Sequence, residues 1–233
     1  MRTLAVAASP GDAEFACGGT LLRIKAGGDA IAICTIANGN STGDGVPPRE
    51  LAATRREEAE SAAETLGAEL FWMDHSDFAV SNDAVTRLKL MEVLRTFRPQ
   101  VVLAPAALGP VRDARNAWPL VVEAAQMAAT PNARTEQPAL EARPYLAAYD
   151  PSWVAGFPPT IYVDVSEVAE AKLAALAAYP SLLEWRQTHD AVDLLAAART
   201  LGAYRGLQAQ VAMAEAFAFD PSDGRAPTER VLP

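Results

Sequence analysis

The chain has 233 residues, half of them hydrophobic, with a formal net charge of −9, two histidines and two cysteines. That length supports one substantial core, no Ser/Gly-rich linker marks a second unit, and no basic block offsets the acidity, which argues against nucleic acid or an anionic membrane surface as partner. No apolar stretch reaches the roughly 20 residues of a membrane span, and the first residues lack a signal-peptide pattern, so a cytoplasmic protein with one domain over residues 1–219 is expected.

In chain order, an apolar run Leu4-Ala5-Val6-Ala7-Ala8 breaks at Pro10-Gly11 and restarts as a helix. The stretch Ala8–Phe15 therefore sits at the carboxyl end of a strand, where open α/β sheets bind ligands. Cys17–Ala26 has apolar residues at helical spacing and stops at Gly27-Gly28, a C-cap signal. Asp29–Ala37 reads as a buried parallel strand. The polar stretch from Asn38 to Gly45 follows on the carboxyl side of the sheet, as a binding loop or a solvated turn. Pro48–Leu66 is an amphipathic helix closed by Gly67, and Leu70–Met73 is a strand leading into Asp74-His75-Ser76-Asp77-Phe78.

Asp83–Phe97 is helical and is stopped by Arg98-Pro99, after which Gln100–Pro105 is a strand. This repeat of strand and helix implies parallel βαβ units with right-handed crossovers, hence a Rossmann-like α/β fold with a mostly parallel sheet and helices on both faces. No Gly-x-Gly-x-x-Gly follows the first strand, so a dinucleotide site is not supported. A second loop, Ala106–Ala114, precedes a helix over Arg115–Ala129. Tyr145–Tyr149 and Thr160–Val165 read as strands, an Ala/Leu-rich helix runs to Tyr179, Thr188–Gln210 is a further helix, and Asp220–Pro233 is a mobile tail. Cys17 and Cys34 form neither a disulfide framework nor a metal spacing and are read as buried thiols.

The stretch Ser9-Pro10-Gly11-Asp12, with Cys17-Gly18-Gly19-Thr20 behind it, resembles the first loop of the PIG-L/LmbE-like family of zinc-dependent N-deacetylases and amidases. In that family the loop reads His-Pro-Asp-Asp: the His and second Asp hold zinc, and the first Asp is the general base. Here only Asp12 is kept. Aligning Leu120–Ala125 on the family helix puts Val111, Arg112, Asp113 and Ala114 where the second loop carries His-Pro-Asp-His, so both histidines are gone. The resemblance continues in Arg55-Arg56-Glu57-Glu58-Ala59, whose first Arg faces the pocket in the family, and in Asp77, which matches its Asp-Gly loop. It extends to Val163-Asp164-Val165-Ser166 and to Ala214-Glu215-Ala216-Phe217, while Tyr179-Pro180-Ser181 stands where relatives have His-x-Ser-Gln.

A zinc ion in such a site lowers the pKa of bound water from about 15.7 to about 7 and polarises a carbonyl, and it needs at least three protein ligands. Two of the three positions are Ser9 and Ala114 here, the base is Gly11, and His75 and His189 lie elsewhere in the sequence. What remains is Ser9, Asp12, Glu14 and Asp113 on facing loops, with Arg112 and Arg115 beside them. Two carboxylates left without a cation raise one another's pKa, or an arginine takes the metal's place. The expected site is free of metal and cofactor. Asp12 and Asp113, with Ser9 and His75, are its candidate catalytic residues, and Asn38, Arg55, Asp77, Arg112 and Glu14 its candidate substrate-binding residues. The structural alternative is that these carboxylates only cap helix N-termini.

The function expected is that of an LmbE-like enzyme using metal-independent acid/base chemistry on a small polar metabolite, with specialised biosynthesis implied by the resemblance. The alternatives are a non-catalytic metabolite-binding or structural partner subunit and, behind it, a zinc-dependent N-deacetylase. The resemblance also implies a homo-oligomer. Phe15, Trp72, Phe78, Val111 and Trp118 lie on or beside the loops and either narrow the pocket or belong to the core.

Overall fold

A computed structural model describes residues 1–151, 156–219 and 232–233, so most of the tail expected over Asp220–Pro233 lies outside the described residues. The core is a seven-stranded sheet in the order β3-β2-β1-β4-β5-β7-β6. Strands β1 (Arg2–Ala7), β2 (Ala30–Ala37), β3 (Glu69–His75), β4 (Val101–Pro105) and β5 (Tyr145–Tyr149) are parallel. β7 (Ala214–Phe219) runs antiparallel between β5 and β6 (Ile161–Asp164), and β6 forms that edge of the sheet.

Both faces are covered, as the continuous apolar character of β1 and β2 requires of a parallel sheet. Helices α1 (Asp12–Ala26), α2 (Pro48–Leu66) and α5 (Ala169–Ala177) pack on one face through Leu21, Ile24, Ala59, Ala62, Leu66, Leu173 and Leu176. Helices α3 (Ala84–Phe97) and α4 (Arg112–Ala128) cover the other through Leu90, Met91, Leu94, Leu120, Val121 and Ala124. Cys17 and Cys34 are buried and unbonded to one another. No helix among the described residues is long and apolar enough to cross a membrane.

Three boundaries differ from the sequence reading. Helix α1 starts at Asp12 rather than Cys17, and α4 at Arg112 rather than Arg115, which places two of the candidate acids, Asp12 and Asp113, in helical first turns. The helix read over Thr188–Gln210 is broken: α6 (Pro180–His189) ends at Asp190, Ala191 takes a positive φ of 53°, and α7 (Leu194–Ala209) restarts with the Asp193 carboxylate accepting the Ala196 N–H.

The Cys-Gly-Gly-Thr motif is explained by packing. A Cβ on Gly19 would lie 2.8 Å from Val165, so only glycine lets α1 approach this closely. The same approach lets Glu215 of β7 reach into α1, where its carboxylate accepts the Gly19 N–H at 2.9 Å and the Thr20 N–H at 2.7 Å. The Thr20 hydroxyl and the Lys172 ammonium of α5 complete its shell at 2.6 and 2.7 Å. One buried carboxylate thereby ties α1, α5 and β7 together.

Candidate functional site

The carboxyl ends of β1 to β4 carry four loops, and the candidate residues cluster there. Gly11 N-caps α1 at φ 88°, and Asp12 opens the helix with its Oδ2 accepting the Ser9 N–H at 2.9 Å. Its other oxygen takes no hydrogen bond from any described residue. Burial raises the Asp12 pKa to about 6, the Ser9 N–H and the Arg186 charge pull it down, and the charges of Asp77 and Asp113 push it up. Burial is thus the first cause, ahead of the repulsion between carboxylates that the sequence suggested.

Asp113 is also raised, again chiefly by burial. Its carboxylate is held by the turn after β3, accepting the Phe78 N–H at 2.7 Å and the Val80 N–H at 3.3 Å. Asp77 acts in the same way on the loop after β2, accepting the Gly39 N–H and the Ser41 N–H, each at 2.9 Å. Asn38 donates to Asp74 at 3.0 Å from the same loop. Asp77 and Asp113 lie near enough to Asp12 for their charges to act on it, while Asp113, Asp77 and Asn38 organise loops.

Other candidates are placed differently. Glu14 is only 1 % exposed and turns inward, where Oε1 accepts the Tyr179 hydroxyl at 2.9 Å and Oε2 is buried without a partner. Two residues advance a helix by about 200°, so Glu14 points away from the face that carries Asp12. His75 does not join Asp12 and Asp113 either. It closes β3 after a register shift, and the charges that bear on it besides Asp74 are Lys89 and Asp83 beside α3. Burial lowers its pKa, with its Nε2 enclosed and unpartnered. Arg112 is exposed on the first turn of α4, and Arg115 donates to the carbonyls of Gly109 and Pro110 instead of to a carboxylate.

Arg55 is fully buried and works as a staple. It donates to Ser181 Oγ at 2.8 Å, to Glu58 at 3.3 Å and to the Thr42 carbonyl at 2.9 Å. Glu58 in turn accepts the Ser181 N–H and hydroxyl, each at 2.7 Å. This network fixes the first turn of α6, a helix the sequence reading missed, and α6 delivers two residues to the site. Leu182 lies so close to Gly11 that a Cβ there would sit 2.7 Å from its Cδ2. Arg186 is the cation that bears on Asp12, a role the sequence suggested for Arg112 or Arg115. The signal available was Pro180, a residue favoured in a first helical turn, with Leu182 and Arg186 at i, i+4 spacing behind it.

The zinc implied by the resemblance does not fit these side chains. Of its ligand positions only Asp12 offers a metal donor of the expected kind, and the Leu182 side chain occupies the space next to Gly11 where a base would project. His189 is stacked on Trp185 and contacts Asp190. Among the described residues no group of three or more His, Cys, Asp or Glu side chains is placed to hold a metal ion.

Comparison with known proteins matches the arrangement to a family. The profile of the PIG-L family, described as GlcNAc-PI de-N-acetylase, matches residues 4–125. Diacetylchitobiose deacetylase of Thermococcus kodakarensis is 30 % identical over 192 residues, which span 77 % of this chain and 69 % of that protein. The conserved protein TT1542 of Thermus thermophilus superposes with a TM-score of 0.82 at 28 % identity, covering 98 % of this chain and 99 % of that one. The 4-carboxy-2-hydroxymuconate hydratase of Pseudomonas putida shares the fold with a TM-score of 0.82 at 22 % identity, over 99 % of this chain and 100 % of that one.

Proposed function

The chain belongs to the PIG-L family, described as GlcNAc-PI de-N-acetylase, and from that premise we propose that it is an LmbE-like enzyme in which Asp12 carries out metal-independent acid/base chemistry on a small polar metabolite. The observation that supports this reading is the state of Asp12: a carboxyl raised to about 6, tethered by one N–H, with its second oxygen free of hydrogen bonds from the described residues. A general acid or base works best with a pKa near the operating pH, and a positioned one contributes about 10²- to 10⁴-fold. Arg186 supplies positive charge beside it for a substrate anion or a developing oxyanion.

That inventory suits proton transfer next to an activating carbonyl, including addition or loss of water, better than amide hydrolysis. Hydrolysis of an amide asks for a strong nucleophile and a polarised carbonyl, which a zinc ion supplies in metal-dependent sites and a lone carboxyl does not. The relatives named as deacetylases and the fold-mate named as a hydratase show that this frame does not bind a chain to one reaction.

The test follows solvent deuterium entering small keto and hydroxy acids by NMR, with zinc content measured on the same sample. Exchange that survives a chelator, turns over near pH 6 and falls about 10²-fold or more in Asp12→Asn is the expected result. Activity that tracks stoichiometric zinc and persists in Asp12→Asn overturns the reading. A second reading, ligand binding without turnover, is favoured by Leu182 packing against Gly11 and by the full engagement of Asp77 and Asp113. It predicts no exchange in any protein, with ligand affinity altered in Asp12→Asn.

A further inference from the structure

A second concave site adjoins this centre at the open edge of the sheet, sharing the loops after β2 and β3 but not Asp12 or Asp113. Between α2 and the edge strand β3 runs a groove of about 590 Å³, within the range of small-molecule pockets. Ala52 and Ala53 line it from the outer flank of α2, beside the buried face of Leu51, Arg55 and Ala59, and their small side chains leave it open. One turn away on either side of them are Arg49 and Arg56, seven residues and about 10 Å apart along the helix.

The floor is polar and already organised. The Asn38 amide donates to Asp74 at 3.0 Å and the Asn40 amide to Ser76 at 3.2 Å, bridging the ends of β2 and β3. Asn40 Oδ1 in turn accepts the Asp77 N–H at 3.1 Å, so the loop is braced from both strands. Asp74 turns the chain at a positive φ of 58°, which an aspartate adopts more readily than most residues. The wall is the half-buried Trp72 indole. At the rim, Arg56 shares its guanidinium with the exposed Glu60, and Arg49 has no hydrogen-bond or ion-pair partner among the described residues.

We propose that this groove binds a nucleoside monophosphate, with the base against Trp72, the ribose hydroxyls over the Asn40–Ser76 and Asn38–Asp74 pairs, and the phosphate on Arg49 and Arg56. Each part answers to one feature of the wall. Aromatic side chains accept any base face, amides and carboxylates pair with hydroxyls, and guanidinium forks match phosphate geometry. The overall acidity of the chain argues against a long nucleic acid but not against a single phosphate held by two local arginines.

The experiment is calorimetric titration of the full chain with adenosine 5′-monophosphate, adenosine, ribose 5-phosphate and inorganic phosphate. Adenosine 5′-monophosphate binds with a micromolar to low-millimolar Kd, and each of the other three probes binds about ten-fold or more weakly. The double variant Arg49→Ala/Arg56→Ala and the variant Trp72→Leu each weaken it about ten-fold or more. Both arginines are exposed, so the double variant keeps the test decisive if Trp72→Leu disturbs packing. Ribose 5-phosphate binding as tightly as the nucleotide overturns the role of Trp72, adenosine doing so overturns that of the arginines, and absence of nucleotide binding overturns the site. None of these readouts involves Asp12, so failure here is separate from failure of the proton-exchange assay.

Discussion

Two carboxylates touch α1 and are treated in opposite ways. Glu215 reaches the middle of the helix and is fully served, by two backbone N–H groups, a hydroxyl and the Lys172 ammonium. Asp12 opens the same helix with a single N–H on one oxygen and an arginine at a distance. A buried charge that only holds a fold together has its hydrogen-bonding capacity filled, because an unfilled one costs several kcal/mol. Asp12 is half-buried with one oxygen free of any hydrogen bond from the described residues, whereas the unfilled buried oxygen on the same helix belongs to Glu14.

The comparison breaks first at Glu215. Replacing it by Ala leaves Lys172 buried without a counter-charge and two N–H groups of α1 unpaired, and destabilises the protein by about 3–5 kcal/mol in urea unfolding. A loss under about 1 kcal/mol would mean that the cluster is not a clamp.

Glu14 sharpens the contrast from the other side. Burial raises its pKa from 4.5 to about 7, so the fold favours its protonated form, with Tyr179 as its partner on one oxygen. The stability that this group contributes is fully present below about 4.5 and is lost as the pH rises through about 7. Glu14→Gln removes the charge, so the variant is more stable than the parent at pH 8, by roughly 2–3 kcal/mol at most, and no more stable at pH 4. Thermal melts at the two pH values check this, and equal stability at pH 8 would show that Glu14 ionises at no cost to the fold.

How much of this could be read from the chain depends on the range of the signal. The helix Pro48–Leu66 carries its own stops, Pro48 in the first turn and a left-handed Gly67 after the last, and its sequence bounds match the structure to the residue. His75, read in a loop after a strand ending at Met73, instead closes β3, which continues to it through a register shift and a left-handed Asp74. Helix α6 escapes the sequence reading because only Leu182 of its residues is fully buried, which leaves no apolar stripe to read. The inward turn of Glu14, the insertion of β7 between β5 and β6 and the staple from Arg55 to Ser181 depend on partners far along the chain, where no local pattern reaches. The site was thus legible as a set of loops, while the cation facing Asp12 and the leucine against Gly11 were not.

The smallest expected effect lies at Phe78, where the loop after β3 meets Asp113. Its backbone is left-handed at φ 64° and its ring is 67 % exposed, so it bears the strain of that conformation without the return of burial. The Asp113 carboxylate holds it there by accepting its N–H at 2.7 Å. Phe78→Gly relieves about 1 kcal/mol of strain, partly offset by the greater freedom of glycine in the unfolded chain, for a net gain of about 0.5 kcal/mol in urea unfolding. In Asp113→Asn the amide keeps one accepting oxygen for two N–H donors, and that background shrinks the gain from glycine, since the loosened turn lets Phe78 relax part of its strain by itself. If the gain is the same in both backgrounds, Asp113 does not restrain the turn, and its buried carboxyl becomes free to join Asp12 in moving protons.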